Sequence, residues 1–224
     1  MSVSVIIPTL NEAACIAATI ASLRRQGNIE IIVADGGSTD GTPDWARAAD
    51  QVLSAPAGRA AQMNAGAARA RGETLLFLHA DCTLADGALA AMTRVLRRRS
   101  VVAGCFSMRV RASGWSYRMI DACASARVRL IGVVYGDQGQ YLRRDDFIRL
   151  GGFPYVRFLE DVLLSQRLRR LGRIVVLPQR ILVSPRRWEK IGVVRQTLRN
   201  WTLTALALAG VTPDRLAKSY PPVR

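Results

Sequence analysis

The chain's single histidine, His79, stands two residues before Asp81 where an apolar run ends, in "TLLFLHADCT". A buried strand that delivers an imidazole and a carboxylate together at its carboxyl end is either building a site or closing in a polar turn. Other strand-like runs end in the same way. "VIIPTLNE" closes on Pro8, Thr9, Asn11 and Glu12, and "IEIIVAD" closes on Asp35, followed by Gly36, Gly37 and Ser38. Further along, Glu160 and Asp161 sit in "LEDVLLSQRLRRLG" at the start of an amphipathic stretch, where acidic residues also favour the helix dipole. Arginines supply the opposite charge, including Arg59 in "GRAAQMNAG" and the pair Arg186 and Arg187 beside Trp188 in "SPRRWEK". The guanidinium fork suits phosphate and carboxylate partners. The chemistry in view is therefore the handling of a phosphorylated or otherwise anionic partner.

The elements that must position these residues alternate along the first half of the chain. "VSVIIP", "IEIIVAD", "QVLSAP" and "TLLFLHAD" (residues 74–81) read as strands. The alanine-rich "NEAACIAATIASLRRQG" and "GRAAQMNAGAARARG", with a short piece near "TPDWARAA", read as helices between them. Near-continuous apolar strands separated by helices predict a parallel sheet covered on both faces. In such sheets ligands sit beyond the carboxyl ends of the strands, the edge where the polar residues collect. A helix over 86–99, a strand at "VVAGCFSMRV", a helix at "GWSYRMIDACASARVRLIG", a strand at "GQYLRR" and a short helix over 145–150 follow. The chain then runs into a helix opening near Glu160, a strand at "RIVVLP" and a last helix over 190–210. The expected organisation is one domain over 1–185 with a helical extension over 186–224. On that last helix Val194, Leu198, Trp201, Ala205 and Leu208 fall on one stripe. Such a stripe packs into a core or lies on an anionic membrane surface.

Composition narrows the classes. The 224 residues are half hydrophobic, enough for a sizeable core, and carry 32 basic against 17 acidic side chains, a formal charge of +15. Only Lys190 and Lys218 are lysines, so the excess is arginine; it suits nucleotides, nucleic acid or anionic lipid, and genomic base composition alone also produces an alanine- and arginine-rich chain. Cys15, Cys82, Cys105 and Cys123 are far apart and form no C-x-x-C pair, which argues against a zinc site or disulfide framework and fits a reducing compartment. The first residues lack the basic and long apolar regions of a signal peptide. No apolar run approaches the ~20 residues that span a bilayer. A cytoplasmic protein, soluble or membrane-peripheral, is expected. Neither a Walker lysine motif nor G-x-G-x-x-G follows the first strand, which weighs against ATPase and dinucleotide readings.

Taken in order, "VIIPTLNE", "VADGGSTDGT", "GRAAQMNAGAARARGE", "FLHAD", and "GGF" followed by "LED" resemble the family 2 glycosyltransferases. The resemblance covers about 3–173. It implies the GT-A fold, a mostly parallel sheet with helices on both faces, and transfer of a sugar from a nucleotide-sugar donor to a hydroxyl acceptor. Asp35 would read the uracil imide, with Pro8, Thr9, Asn11, Glu12 and Gly36 lining the nucleotide pocket and Arg59 pairing with the diphosphate. The family usually has two aspartates and one glycine where this chain has Ala34, Asp35 and two glycines. His79-Ala80-Asp81 takes the place of the family's D-x-D, so Asp81 would bind Mn²⁺ or Mg²⁺ beside the diphosphate, with His79 near the donor sugar or the ribose. Imidazole suits Mn²⁺ better than Mg²⁺. Asp161 aligns with the catalytic base of an inverting transfer, and Glu160 would orient it or substitute for it. Arg186, Arg187 and Trp188 would close over the diphosphate or hold the acceptor, unless they form only a basic surface loop. The wording of "GDQGQYLRR", "LEDVLLSQRLRRLGR" and "RRWEK" also resembles a small bacterial subgroup associated with arsenosugar biosynthesis.

Two other classes are weighed against this one. Nucleotidyl transfer wants a Gly/Arg/Lys signature after the first strand, which "PTLNEA" does not supply. Nucleic-acid binding wants basic residues on one face with aromatics interleaved, whereas the arginines are scattered and aromatics make up 6% of the chain.

Overall fold

A computed structural model gives the fold over residues 1–217; the end of the expected C-terminal extension, 218–224, lies outside the described residues. The strands are Val3–Thr9 (β1), Glu30–Asp35 (β2), Gln51–Ser54 (β3), Thr74–Phe77 (β4), Thr83–Leu84 (β5), Val101–Val110 (β6), Gln140–Arg143 (β7) and Arg173–Val183 (β8). The helices are Ile16–Arg24 (α1), Thr42–Trp45 (α2), Arg59–Arg69 (α3), Ala88–Leu96 (α4), Trp115–Ile131 (α5), Arg144–Arg149 (α6), Glu160–Arg169 (α7), Arg186–Ile191 (α8), Val193–Leu208 (α9) and Pro213–Ala217 (α10). One 3-10 turn, Gly136–Gln138, precedes β7.

All eight strands form one sheet in the order β3-β2-β1-β4-β7-β6-β8-β5. Pairings β1–β2, β1–β4, β2–β3 and β6–β8 are parallel, and β4–β7, β6–β7 and β5–β8 are antiparallel. The parallel half is the region where strand and helix alternate in sequence. The antiparallel β7 enters between β4 and β6, so the second half of the sheet is mixed.

Alternation along the strands sends side chains to two cores. Val5, Ile7, Ile31 and Val33 meet Ile16, Ile20 and Leu23 of α1 on one face. Ile6 and Ile32 meet Ala60, Met63 and Ala67 of α3 on the other, with Phe147, Phe153 and Leu164 further along. Helix α3 lies directly on β1: a Cβ added at Gly66 would come within 2.5 Å of Ile6 Cγ2. A smaller cluster joins Leu159 and Val162 to Leu203, Ala207 and Leu216 of the C-terminal helices.

Two boundaries differ from the sequence expectation. Strand β4 ends at Phe77, so His79 and Asp81 stand in the following turn rather than on the strand. The expected last helix is two helices, α8 and α9, broken at Gly192 with φ 93°. On α9 the expected stripe does not enter the core: Gln196, Leu203, Thr204 and Ala207 are buried, while Val194, Leu198, Trp201, Ala205 and Leu208 are exposed.

Gln62, inside α3, ties the strand ends together. Its Nε2 donates to Thr9 O at 2.6 Å and to Ala34 O at 2.9 Å, at the carboxyl ends of β1 and β2. Gly36 leaves room for it, since a Cβ there would lie 3.0 Å from the Gln62 amide. Replacing Gln62 by Ala leaves two buried carbonyls without this donor, so a loss of about 1–3 kcal/mol is expected in urea denaturation. Unchanged stability would show that the amide does not hold this edge.

Candidate active site

The loops after β1 and β2 are laced together before any ligand is considered. Asn11, in the left-handed region at φ 56°, donates its N–H to Ser38 Oγ at 2.8 Å and accepts the Thr39 N–H on Oδ1 at 2.9 Å. Glu12 N–H donates to Thr42 Oγ1 at 2.8 Å, and Asp40 receives the N–H groups of Ala13 and Thr42. Pro8 pairs with Ala34 in the β1–β2 register. Asp35 is saturated. Its Oδ1 accepts the hydroxyls of Thr9 at 3.0 Å and Ser38 at 2.5 Å, and its Oδ2 accepts the N–H groups of Gly37 at 3.0 Å and Ser38 at 2.8 Å. Burial raises its pKa, but these four bonds outweigh it and hold the carboxyl below its ordinary value.

The turn after β4 and the start of α7 meet at Gly136. Gly136 N–H donates to Asp161 Oδ2 at 2.5 Å. A Cβ at Gly136 would lie 2.8 Å from His79 Nε2 and 3.4 Å from Asp161 Oδ2, so only glycine lets these groups converge. Burial and the nearby Arg59 depress His79 to about 4, leaving a neutral imidazole at neutral pH, despite the opposing charges of Asp81 and Asp161. Leu159, just before Glu160, holds φ 63°. A left-handed conformation costs an L residue with a bulky side chain about 1–2 kcal/mol, and here it aims the next two carboxylates inward. Glu160 is buried and pairs with Arg59, Nε to Oε1 at 3.0 Å. Burial drives Glu160 up in pKa against the pull of Arg59 and with the push of Asp161.

Arg186, at the start of α8, reaches across to both remaining acids. One guanidinium nitrogen lies 2.9 Å from Asp81 Oδ2 and 3.3 Å from Glu12 Oε2. Arg187 is close enough to contribute to the depressed pKa of His79. Trp188 is buried in the core beneath them.

His79, Asp81, Glu160, Asp161, Arg59, Arg186 and Glu12 thus gather at the carboxyl edge of the sheet, and Thr9, Asn11 and Asp35 border it. Two of these side chains have protein partners of their own. Arg59 meets Glu160, and Asp35 has its acceptor positions filled by Thr9 of β1 and by its own loop. Among the described residues no group of three or more His, Cys, Asp or Glu side chains is arranged to hold a metal ion. One carboxylate with phosphate oxygens and water nevertheless satisfies a hard divalent ion, and Asp81 is partly exposed at the right edge.

Sequence reasoning missed Asp137. It follows Gly136, its Oδ1 is buried without a hydrogen-bond partner, and burial lifts it to about 6, with Asp161 and Asp81 raising it and Arg127 and Arg59 lowering it. Behind it lies a cavity of about 30 Å³ whose walls include Arg127, Tyr135, Trp188, Thr197 and Trp201. Trp188 Nε1 and Thr197 Oγ1 are also buried without partners. The available signal was "GDQG", an acid held between two glycines.

The family model described as glycosyl transferase family 2 matches residues 4–153, about two thirds of the chain. The chain belongs to glycosyl transferase family 2. The match ends before Glu160 and Asp161. Curated relatives from Mycobacterium bovis and Mycobacterium tuberculosis, named PGL/p-HBAD biosynthesis glycosyltransferase, are 42% identical over 36% of this chain and 36% of their own length. The similarity thus spans about a third of those relatives. Solved structures share the GT-A fold of this family 2 chain at lower identity. Staphylococcus aureus TarS 1-349 in complex with UDP-GlcNAc superposes with a TM-score of 0.62 at 20% identity, covering 82% of this chain and 58% of that one. Glucosyl-3-phosphoglycerate synthase from Mycobacterium tuberculosis, in complex with Mn²⁺, UDP and phosphoglyceric acid, gives 0.65 at 19% identity, covering 94% and 79%.

Asp137 sets a pH test. Its pKa rises from 3.8 to about 6 on folding, so its ionisation costs nothing below the lower value and is fully felt above the upper one. Asp137→Asn is expected to stabilise the protein by about 1–3 kcal/mol at pH 8 and to have little effect at pH 4. His79 runs the other way, gaining stability as pH rises from about 4 to 6.5. Thermal unfolding of the variant across that range checks the sign; equal effects at both pH values would contradict it.

Proposed function

We propose that this chain is an inverting, metal-assisted glycosyltransferase that moves a sugar from a nucleotide-sugar donor, a UDP-sugar, to a hydroxyl acceptor. The observation that carries the reading is the convergence of Asp161, His79 and Asp81 at the carboxyl edge of the sheet, with Asp161 oriented by the Gly136 N–H. The names of the structural relatives support the donor class: UDP-GlcNAc in TarS, and UDP-glucose with Mn²⁺ in the glucosyl-3-phosphoglycerate synthase. The GT-A body is taken as 1–185, with the extension from 186 folded back over it.

Each role follows from placement. The β1 and β2 edge, with Pro8, Thr9, Asn11, Glu12, Asp35 and Gly36, forms the nucleotide side. For Asp35 to read a base, an imide N–H must displace one of its hydroxyl donors, Thr9 or Ser38. Asp81 would hold Mn²⁺ or Mg²⁺ with the diphosphate, and the ion would offset charge developing on the leaving group. Arg186 is more than half exposed and shares Asp81, so it can turn to the diphosphate without crossing the core. Asp161 removes the acceptor proton as the hydroxyl attacks the anomeric carbon from the face opposite the leaving group. Glu160, buried next to Asp161 in sequence and paired with the half-exposed Arg59, would orient Asp161 or substitute for it.

Asp161→Asn keeps the shape of the site and removes the basic oxygen. Turnover, followed as UDP release from a UDP-sugar panel with hydroxyl acceptors, is expected to fall about 10²–10⁴-fold, while UDP affinity stays near that of the parent. Full activity in both Asp161→Asn and Glu160→Gln would refute the base assignment. Asp81→Ala is expected to abolish the Mn²⁺-dependent part of UDP binding in calorimetry with the fold intact. Equal Mn²⁺-dependent affinity in variant and parent would remove Asp81 from the metal site.

A further inference from the structure

Helices α5 and α9 lie side by side, with Cys123 of α5 and Thr197 and Trp201 of α9 lining one cavity between them. Each buries one side and turns a row of large apolar residues outward. On α5 these are Trp115, 76% exposed, Met119 and Leu130, 77% exposed. On α9 they are Val194, 70% exposed, Leu198 and Trp201. The spacing places each row on one helical face. A soluble surface rarely leaves a contiguous row of this kind open, and here two adjacent helices do so.

Charge identifies the occupant. Helix α9 has no acidic residue. The only acid of α5, Asp121, is mostly buried and paired with Arg118. Arg129 and Arg195 are exposed at the margins of the two rows, and Lys190 is exposed just before α9. The whole chain carries +15, so a second copy would set like charge against like charge around the same apolar rows. Apolar side chains flanked by basic ones match a surface whose interior is apolar and whose headgroups are negative. Among the described residues no helix is long and apolar enough to cross a membrane, which leaves the interfacial mode. We infer that the α5–α9 face is a docking surface for an anionic lipid membrane, with both helices lying in the interface. This inference rests on the exposed face alone and is independent of the reaction proposed above.

The test is co-sedimentation of the full chain with phosphatidylglycerol-containing vesicles, compared with phosphatidylcholine alone, at low and high salt. Binding is expected only with the anionic lipid, weakened by salt. The double variant Trp115→Ser with Leu198→Ser changes two exposed side chains, so its thermal transition should match the parent's while its vesicle partitioning falls at least about tenfold. Tryptophan fluorescence should shift to the blue on binding, and Trp115→Phe should reduce that shift. No binding at low salt, equal binding to both lipids, or unchanged binding by the double variant would overturn the inference. A dimer seen in sedimentation velocity without lipid, and dissolved by the same double variant, would also overturn it and assign the face to a second copy. An acidic protein partner in place of lipid would appear as vesicle binding absent at low salt.

Discussion

The hydrogen bond from Gly136 to Asp161 is the constraint around which the second half of the structure is arranged. It joins the 3-10 turn before β7 to the first turn of α7, and it does so beside the Nε2 of His79, in a space where no side chain fits. The antiparallel entry of β7 beside β4 is what brings that turn to the same edge as the β4 turn. Without this crossing, His79 and Asp161 would belong to separate parts of the sheet. The bond also leaves Asp161 oriented at little entropic cost, because a backbone N–H in a short turn has nowhere else to point.

The electrostatics of the edge follow from placing few acids among many arginines. Arg59 pairs with the buried Glu160, and Arg186 with the partly exposed Glu12 and Asp81. In the first case the acid is buried and a broken pair would leave a charge without solvent, which is costly. In the second both acids are partly exposed and exchange costs little. The same residue type therefore fixes one side of the site and leaves the other adjustable.

Much of this was legible in the sequence where local pattern and tertiary structure agree. The apolar runs of β1, β2 and β4 and the alanine-rich α1 and α3 have one natural arrangement, and their polar ends collect at one edge because parallel strands point the same way. The solved relatives share that architecture. The antiparallel insertion of β7 was not legible, since "QYLR" carries no mark of its neighbours. The two-residue β5 exists only because β8 continues past Pro178 to receive it. Arg59 meets Glu160, 101 positions away, by tertiary folding alone. Asp137 was passed over because a lone acid between glycines looks like a turn until its burial is seen. The α9 stripe was correctly located by its period, but periodicity cannot say which side of a helix faces the core.

Leu159 gives the C-terminal helices a mechanical role. Its strained backbone is held by packing with Val162, Leu203, Ala207 and Leu216, so α9 and α10 serve as the clamp on the residue that aims Glu160 and Asp161. The inner side of α9 grips this hinge and its outer side carries the exposed apolar row, one helix diameter, about 10 Å, away. A force applied to that outer surface reaches the carboxylates through a single layer of side chains. Truncating the chain before α9 would therefore release the backbone that carries Glu160 and Asp161 along with the tail.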